Sequence, residues 1–336
     1  MWYAWLGRMF PRRFDWLQVE VTSHCNARCA YCPHTVFRST WTSRHLSLTT
    51  FRNLAPDLKK VNLVFLQGWG EPFLHPDFFH FVSLAKEAGC RVGATTNGTL
   101  LTGENINRVV ESGIDLLAFS LAGVGEAHDF WRAGAGFQQV REAIAALQDR
   151  RRRLGKSTPH VHIAYLLLRS GLGELERLPA ALRGLDIGQV VISTLDLVPS
   201  PELEEESLAG LSPRESADII ARLQKVAETG LPVYFPRHPA GVQKAACPEN
   251  VLRAAVISAT GDVSPCVFTN IPATGAVHYL HGRPYPLQPL CFGNVQDVSF
   301  REIWRQPTYA SFRRSFEAGV LAEPCRHCLK LIGSED

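Results

Sequence analysis

This sequence has little of what a membrane-spanning, secreted or nucleic-acid-binding protein needs. The formal net charge is only +3, too small for a surface that neutralises a phosphate backbone. The four arginines Arg150 to Arg153 read as the solvated end of a helix. The opening Met1-Trp2-Tyr3-Ala4-Trp5-Leu6 is aromatic but too short for a signal peptide or a membrane span. It is expected to pack on the fold, with a membrane surface or a partner as alternatives. No G-x-G-x-x-G follows the first candidate strand, which counts against a dinucleotide-binding sheet. The chain of 336 residues carries nine cysteines, no secretory signal, and ample length for a core. Disulfide staples are therefore not expected; the cysteines point to a reducing cytoplasmic setting and to metal.

Three of those cysteines stand together in Ser23-His24-Cys25-Asn26-Ala27-Arg28-Cys29-Ala30-Tyr31-Cys32-Pro33. Three thiolates on one short loop can ligate three irons of a 4Fe-4S cubane cluster, which normally takes four cysteines. One iron then stays open, as in a catalytic metal site. The alternative is a core stripe, because positions 25, 29 and 32 share one face of a helix. Asn26, Arg28 and Pro33 are poor residues for such a helix interior. Ala27 and Ala30 are small enough for a loop wrapped round a bulky group.

Apolar runs rich in β-branched residues predict strands over Leu17–Thr22, Val61–Leu66, Arg91–Thr96, Asp115–Leu121, His160–Leu168 and Gln189–Leu195. Between them, helices are predicted over Thr49–Leu58, Asp77–Ala88, Glu104–Ser112, Phe137–Arg153 and Gly173–Leu182. Ser47 or Thr49 marks a start, and Gly89 a stop. This alternation predicts an α/β fold with a parallel sheet and right-handed crossovers, either a barrel or a doubly wound sheet. The polar candidates then fall at carboxyl ends of strands, where a barrel enzyme assembles its site. They are the cysteine loop, Gly68-Trp69-Gly70-Glu71-Pro72, Thr96-Asn97-Gly98, Ser120, Arg169 and Asp196.

Each motif has a plainer reading. The Gly68–Pro72 segment is compatible with an ordinary Gly/Pro turn, though glycine at a strand end also permits close backbone approach to a ligand. Thr96-Asn97-Gly98 is a standard turn sequence, and Arg132 serves equally as a surface ion-pair partner. His75, between Leu74 and Pro76, is expected to be a packed histidine satisfied by backbone. Cys90 is expected to be a small core residue. Two longer segments, Val198–Leu211 and Thr269–Leu290, are candidates for substrate lids or for mere insertions.

The C-x3-C-x2-C spacing resembles that of the radical S-adenosylmethionine (radical SAM) superfamily. That resemblance implies a partial (βα)6 TIM-like barrel, a 4Fe-4S cluster at Cys25, Cys29 and Cys32, and S-adenosylmethionine at the open iron. It also implies reductive cleavage to a 5′-deoxyadenosyl radical that abstracts hydrogen from substrate. Gly68, Gly70 and Glu71 match the family's G-G-E-P motif, which receives the amino group of S-adenosylmethionine; Trp69 departs from it at the first glycine. By the same resemblance Tyr31 packs near adenine, and Thr96, Asn97 and Ser120 face ribose and carboxylate. In Ala127-His128-Asp129-Phe130-Trp131-Arg132-Ala133-Gly134, the resemblance makes Arg132 a lining residue of the catalytic site. It further implies a reductant such as flavodoxin or ferredoxin.

After Phe235 the β–α rhythm stops. A hairpin is predicted from Leu252–Ile257 and Val263–Val267, joined around Gly261-Asp262 and carrying Cys266 at its end. Gly261-Asp262-Val263-Ser264-Pro265-Cys266, Gly293-Asn294-Val295, Glu302-Ile303-Trp304 and Cys325-Arg326-His327-Cys328 resemble SPASM and twitch domains, which carry auxiliary clusters. The resemblance implies one auxiliary 4Fe-4S cluster on Cys247, Cys266, Cys325 and Cys328, closed and suited to electron transfer, with Cys291 left over. A structural zinc site is the alternative, and a non-catalytic zinc-binding protein is the alternative for the whole chain.

The expected organisation is an N-terminal arm over 1–15, a radical SAM core over 16–235, and a small α+β auxiliary-cluster domain over 236–336. The expected function is that of a radical SAM oxidoreductase or maturase acting on a peptide or a small molecule. No recognisable leader-peptide-binding domain precedes the barrel, which weakens the leader-dependent peptide version.

Overall fold

Six strands form where the apolar runs place them in the computed structural model, which describes residues 13–235 and 247–331. Most of the expected N-terminal arm and the first residues past the expected boundary at 235/236 lie outside the described residues. The core alternates β1 (Phe14–Val19), α1 (Leu48–Leu58), β2 (Val61–Leu66), α2 (Phe78–Glu87), β3 (Arg91–Thr96), α3 (Gly103–Glu111), β4 (Leu116–Leu121), α4 (Phe137–Arg153), β5 (His160–Leu167) and β6 (Gln189–Thr194). It continues with α5 (Pro213–Glu228) and β7 (Val233–Tyr234).

Along β5 the residues Val161, Ile163, Tyr165 and Leu167 are buried while His162, Ala164 and Leu166 are half-buried. The period of two sends one set to the helix layer and the other to the barrel interior. Local chemistry starts and stops the helices. Ser47 caps α1 by accepting from Thr50 N, and Gly89 takes the positive φ of 79° that lets the chain leave α2. Cys90, as expected, is a core residue, donating its thiol to Leu58 O.

Two expectations for local structure fail. The segment expected to be a helix over Gly173–Leu182 is a 3-10 helix over Arg169–Arg177 followed by a short α-turn over Leu178–Ala181. Gly171 and Gly173 weaken the first part, and Pro179 has no N–H to donate in the second. Thr269–Leu290 is not irregular throughout, because β10 (Val277–Leu280) and β11 (Arg283–Pro286) pair as an antiparallel hairpin. Its two-residue turn, His281-Gly282, has φ of 53° and 71°, the left-handed pair that suits right-twisted strands. Helix α5 was not anticipated, although Ser212 and Glu215 form a full capping box at its start.

The principal surprise is the reach of the sheet. The predicted C-terminal hairpin forms as β8 (Ala254–Ile257) and β9 (Val263–Ser264). However, β8 lies parallel to β1, with Leu17 opposite Ala255 and Val19 opposite Ile257. One nine-stranded sheet results, in the order β9-β8-β1-β2-β3-β4-β5-β6-β7. It keeps two edges, so the barrel stays open. The last third of the chain therefore shares the hydrogen-bonded sheet of the core.

Behind this junction, α6 (Phe300–Arg305) and α7 (Pro307–Glu317) cover the start of β1. The Phe14 ring packs edge-on against Phe300 at 5.1 Å and Trp304 at 4.9 Å. Arg313 lies over Trp304 at 3.9 Å and donates to Trp304 O. This aromatic cluster joins the two ends of the sequence. Replacing Trp304 by Ala is expected to cost about 3–5 kcal/mol, read as a lower urea midpoint in equilibrium unfolding. An unchanged midpoint would show that the junction does not hold the fold together.

Candidate active site and auxiliary metal site

The cysteine loop is not a helix, so the core-stripe reading of positions 25, 29 and 32 falls. Arg28–Cys29 pairs with Arg132–Ala133 as a short antiparallel bridge, Ala30 N donates to Trp131 O, and a single helical turn begins only at Pro33. The three thiols cluster with Ala27, Ala135 and Tyr31. Burial pushes the Cys25 thiol up to about 11 and the Cys32 thiol up to about 12, with neighbouring thiols adding to both. Thiolates crowded this way need positive charge, which a bound metal group supplies.

Arg132 is the resident cation. Buried beside the thiols, it donates from Nη1 to the Tyr31 hydroxyl at 2.5 Å, while its Nε has no hydrogen-bond partner. Burial works against its charge, but Tyr31 and the thiols of Cys29 and Cys32 more than offset this and hold the guanidinium above its usual range. Arg132 is thus placed at the cysteine loop and is not a surface ion-pair residue.

The glycines of Gly68–Pro72 serve close approach, but to this chain's own backbone. A side chain at Gly70 would stand 2.3 Å from Thr22 O and 2.5 Å from His24 O. At Gly68 it would meet Glu20 at 2.3 Å. Their absence lets Glu71 N donate to His24 O at 2.8 Å, fastening the segment beneath the cysteine loop. Trp69 fills the motif's missing glycine position with a large ring. Its indole donates to Asn270 O at 3.2 Å, and the ring stacks on Phe268 and meets Trp41 edge-on.

Two carboxyl groups hold these loops. Glu71, only 2% exposed, accepts from Thr96 Oγ1, Asn97 N and Phe73 N. Both of its oxygens are engaged by the chain itself. Burial pushes its carboxyl up to about 7. Asn97 in turn donates to Asn26 Oδ1, and Asn26 donates to Thr99 Oγ1. Thr96 and Asn97 therefore brace the cysteine loop. Ser120, by contrast, is half-buried at the end of β4 and opposite Ala164. Glu20, at 4% exposure, accepts from Trp69 N and from Ala259 N in the β8–β9 turn. Burial lifts its carboxyl to about 7 as well.

Two histidines prove to be braces. His75 satisfies its ring with Leu46 O and Asp77 N, as expected. His128 bridges Ala135 O and Ala122 N; burial lowers it to about 4, so it is neutral near pH 7. It holds the segment that places Arg132. Sequence reasoning missed Glu20 and His128; the only signals were an acid ending an apolar strand and a histidine inside a segment of family sequence.

The second cysteine group assembles from distant parts of the chain. Cys247, Cys266, Cys325 and Cys328 line one cavity of about 180 Å3 together with Asp196 and Lys330. Burial raises all four thiols, Cys247 and Cys325 to about 12. Cys291 is exposed and donates to Gly293 O, and it does not line this cavity. Among the described residues, no three Cys, His, Asp or Glu side chains converge closely enough to hold one metal ion. Four thiols fit a closed cubane and three fit an open one.

Between the two sites runs an apolar belt. It includes Tyr31 of the cysteine loop, Leu166 and Leu168 at the end of β5, Leu195 past β6, and Leu329 beside Cys328. Both cysteine groups therefore border the same barrel mouth. No helix among the described residues is long and apolar enough to cross a membrane.

The comparisons agree with this arrangement. Residues 19–169 match the Radical SAM superfamily, and residues 247–329 match an iron-sulfur cluster-binding domain, SPASM. The tungsten-containing aldehyde ferredoxin oxidoreductase cofactor-modifying protein of Pyrococcus furiosus is 28% identical over 305 residues, covering 89% of this chain and 83% of that one. The AdoMet-dependent heme synthase of Methanosarcina barkeri is 24% identical over 331 residues, covering 95% and 88%. Among solved structures, anSMEcpe with bound AdoMet aligns with a TM-score of 0.65 at 17% identity, over 94% of this chain and 87% of that one. SuiB of Streptococcus suis bound to S-adenosylmethionine aligns at 0.64 and 13% identity, over 90% and 68%. The SPASM match replaces the zinc reading with iron–sulfur. An open parallel barrel with a three-thiol loop at its mouth, followed by an iron–sulfur domain, places this chain in the radical SAM superfamily, with a C-terminal domain of SPASM type and with 4Fe-4S clusters and S-adenosylmethionine as its cofactors.

Proposed function

We propose that this chain is a radical SAM oxidoreductase that takes a hydrogen atom from a small molecule of the cofactor or cofactor-precursor class. When bound, the cluster at Cys25, Cys29 and Cys32 together with S-adenosylmethionine supplies the hydrogen-abstracting chemistry. The chain's own part is to hold three thiolates on a loop braced by Asn97 and Glu71, with Arg132 offsetting their charge. Gly68, Gly70, Thr96 and Ser120 are proposed to border S-adenosylmethionine through backbone and hydroxyl groups, and Tyr31 to lie near its adenine. Because the carboxyl of Glu71 is engaged by Thr96, Asn97 and Phe73, we assign it to shaping this pocket rather than to salt-bridging the amine. The domain division at about residue 235 is retained as a division of roles, the core for abstraction and the last third for the second cluster.

Supporting a small molecule over a peptide is the company the sequence keeps. Relatives matched along most of their length are named for modifying a cofactor, for AdoMet-dependent heme synthesis and for Fe-coproporphyrin III synthesis. Two solved structures similar in fold have peptides bound, but at 18% and 13% identity that likeness extends to the fold alone. Cys247, Cys266, Cys325 and Cys328 leave a cubane no open iron, which suits it to accepting an electron from the substrate radical. The net reaction is then an oxidation or a new bond, with an external low-potential protein such as a flavodoxin or ferredoxin supplying the reducing electron.

After anaerobic purification and reconstitution, iron and sulfide are expected at about eight each per chain, the stoichiometry of two cubanes. The variant Cys29→Ala should hold about half of that and release no 5′-deoxyadenosine from S-adenosylmethionine under dithionite; cleavage at the wild-type rate would refute the site. To identify the donor, deuterated tetrapyrrole precursors and deuterated peptides are supplied in parallel with S-adenosylmethionine. Deuterium recovered in 5′-deoxyadenosine from the tetrapyrrole set is the expected result. Transfer from peptides alone would overturn the small-molecule assignment.

A further inference from the structure

Outside the cysteine loop, Lys330 holds a charge in a largely enclosed setting. Its side chain is 18% exposed, and it lies two residues beyond Cys328 on the wall of the cavity that the four C-terminal thiols share. The ammonium pairs with Glu249 Oε1 and stands 3.8 Å from Asp196 Oδ2. It also sits over the Phe268 ring, 4.9 Å from the centroid. Asp196 itself accepts from Thr194 Oγ1 at the end of β6. One cation thus ties the rim of the barrel to the segment carrying Cys247, and the Phe268 ring beneath it also stacks with Trp69.

Such a placement is costly unless it compensates for something. Burying an ammonium between two carboxylates carries a desolvation penalty that the ion pairs alone seldom repay. A set of four thiolates alongside changes that balance, since a cubane with four cysteine ligands carries net negative charge and gains more on reduction. The potential of such a cluster follows from local charge and from the groups in its outer shell. Building on the auxiliary-cluster reading above, we propose that Lys330 is a positioning residue of the auxiliary site, a cation that offsets the negative charge Glu249 and Asp196 bring beside the cysteines, so that reduction of the cluster is less disfavoured, and that latches the site to the barrel rim through those two carboxylates.

The test uses the full-length chain with Cys25, Cys29 and Cys32 replaced by Ala, so that only the C-terminal cysteines contribute iron. Its midpoint potential is followed by electron paramagnetic resonance during anaerobic titration with dithionite. Lys330→Met, which keeps the length and removes the charge, should shift the midpoint to more negative potential. Lys330→Arg should stay closer to the parent. If Lys330→Met keeps its iron and titrates with the parent, the inference is overturned while the auxiliary cluster stands. Should Lys330→Met lose its iron, Lys330→Arg must retain it; loss in both would mean that packing and not charge is what the lysine supplies, and would overturn the inference. A parent that binds no iron at all refutes the auxiliary-cluster reading, and the inference with it.

Discussion

Buried carboxyl groups at the ends of neighbouring strands are the constraint on which the rest of this site depends. Glu20 follows β1 and Glu71 follows β2, and neither has a cation for a partner among its hydrogen bonds. Each instead collects N–H and hydroxyl donors from loops distant in sequence: Trp69 and Ala259 in one case, Phe73, Thr96 and Asn97 in the other. A buried carboxyl must find such donors, because leaving it unsatisfied costs more than the bonds return. The loops are therefore drawn to the carboxyls. The cysteine loop rests on the platform they form, through the bond from Glu71 N to His24 O.

From that platform the two metal sites take their relation to each other. Glu20 reaches both the Gly68–Pro72 segment and the turn between β8 and β9, and that turn leads directly to Cys266. Trp69 reaches Asn270, and Phe268 reaches Lys330. The second cysteine group is thus linked by direct contacts to the Gly68–Pro72 segment. Because β8 is hydrogen-bonded to β1, the link is through a shared sheet and not only through side chains.

Much of this was readable in the chain. All six core strands fall within a few residues of their predicted places, because β-branched runs and helical periodicity are properties of adjacent residues. Four helices agree equally well. The failures also have local causes or distant ones that can be named. At 169–182 two glycines and a proline defeated an apolar periodicity; at 277–286 a two-residue turn with histidine in a left-handed conformation concealed a hairpin. Helix α5 follows an acidic, proline-containing segment whose composition reads as a loop up to the capping box at Ser212. The reach of the sheet through β8 was not readable at all, since nothing near residue 254 records that β1 lies beside it.

The spacing of the cysteines belongs to the sequence by itself. The run of Cys25, Cys29 and Cys32 and the pairing of Cys325 with Cys328 carry the resemblance to the family, since a short loop fixes how far apart its thiols can stand. What the tertiary structure alone decided is how those cysteines are supported. That Gly70 makes room for two carbonyl oxygens, that Glu71 serves the loops, that Arg132 lies among thiols, and that Lys330 stands between Asp196 and Glu249 all rest on partners far away in the chain. The physical reason is that coordination spacing is set along the backbone, whereas the burial and pairing of charge are set by whatever the fold brings alongside.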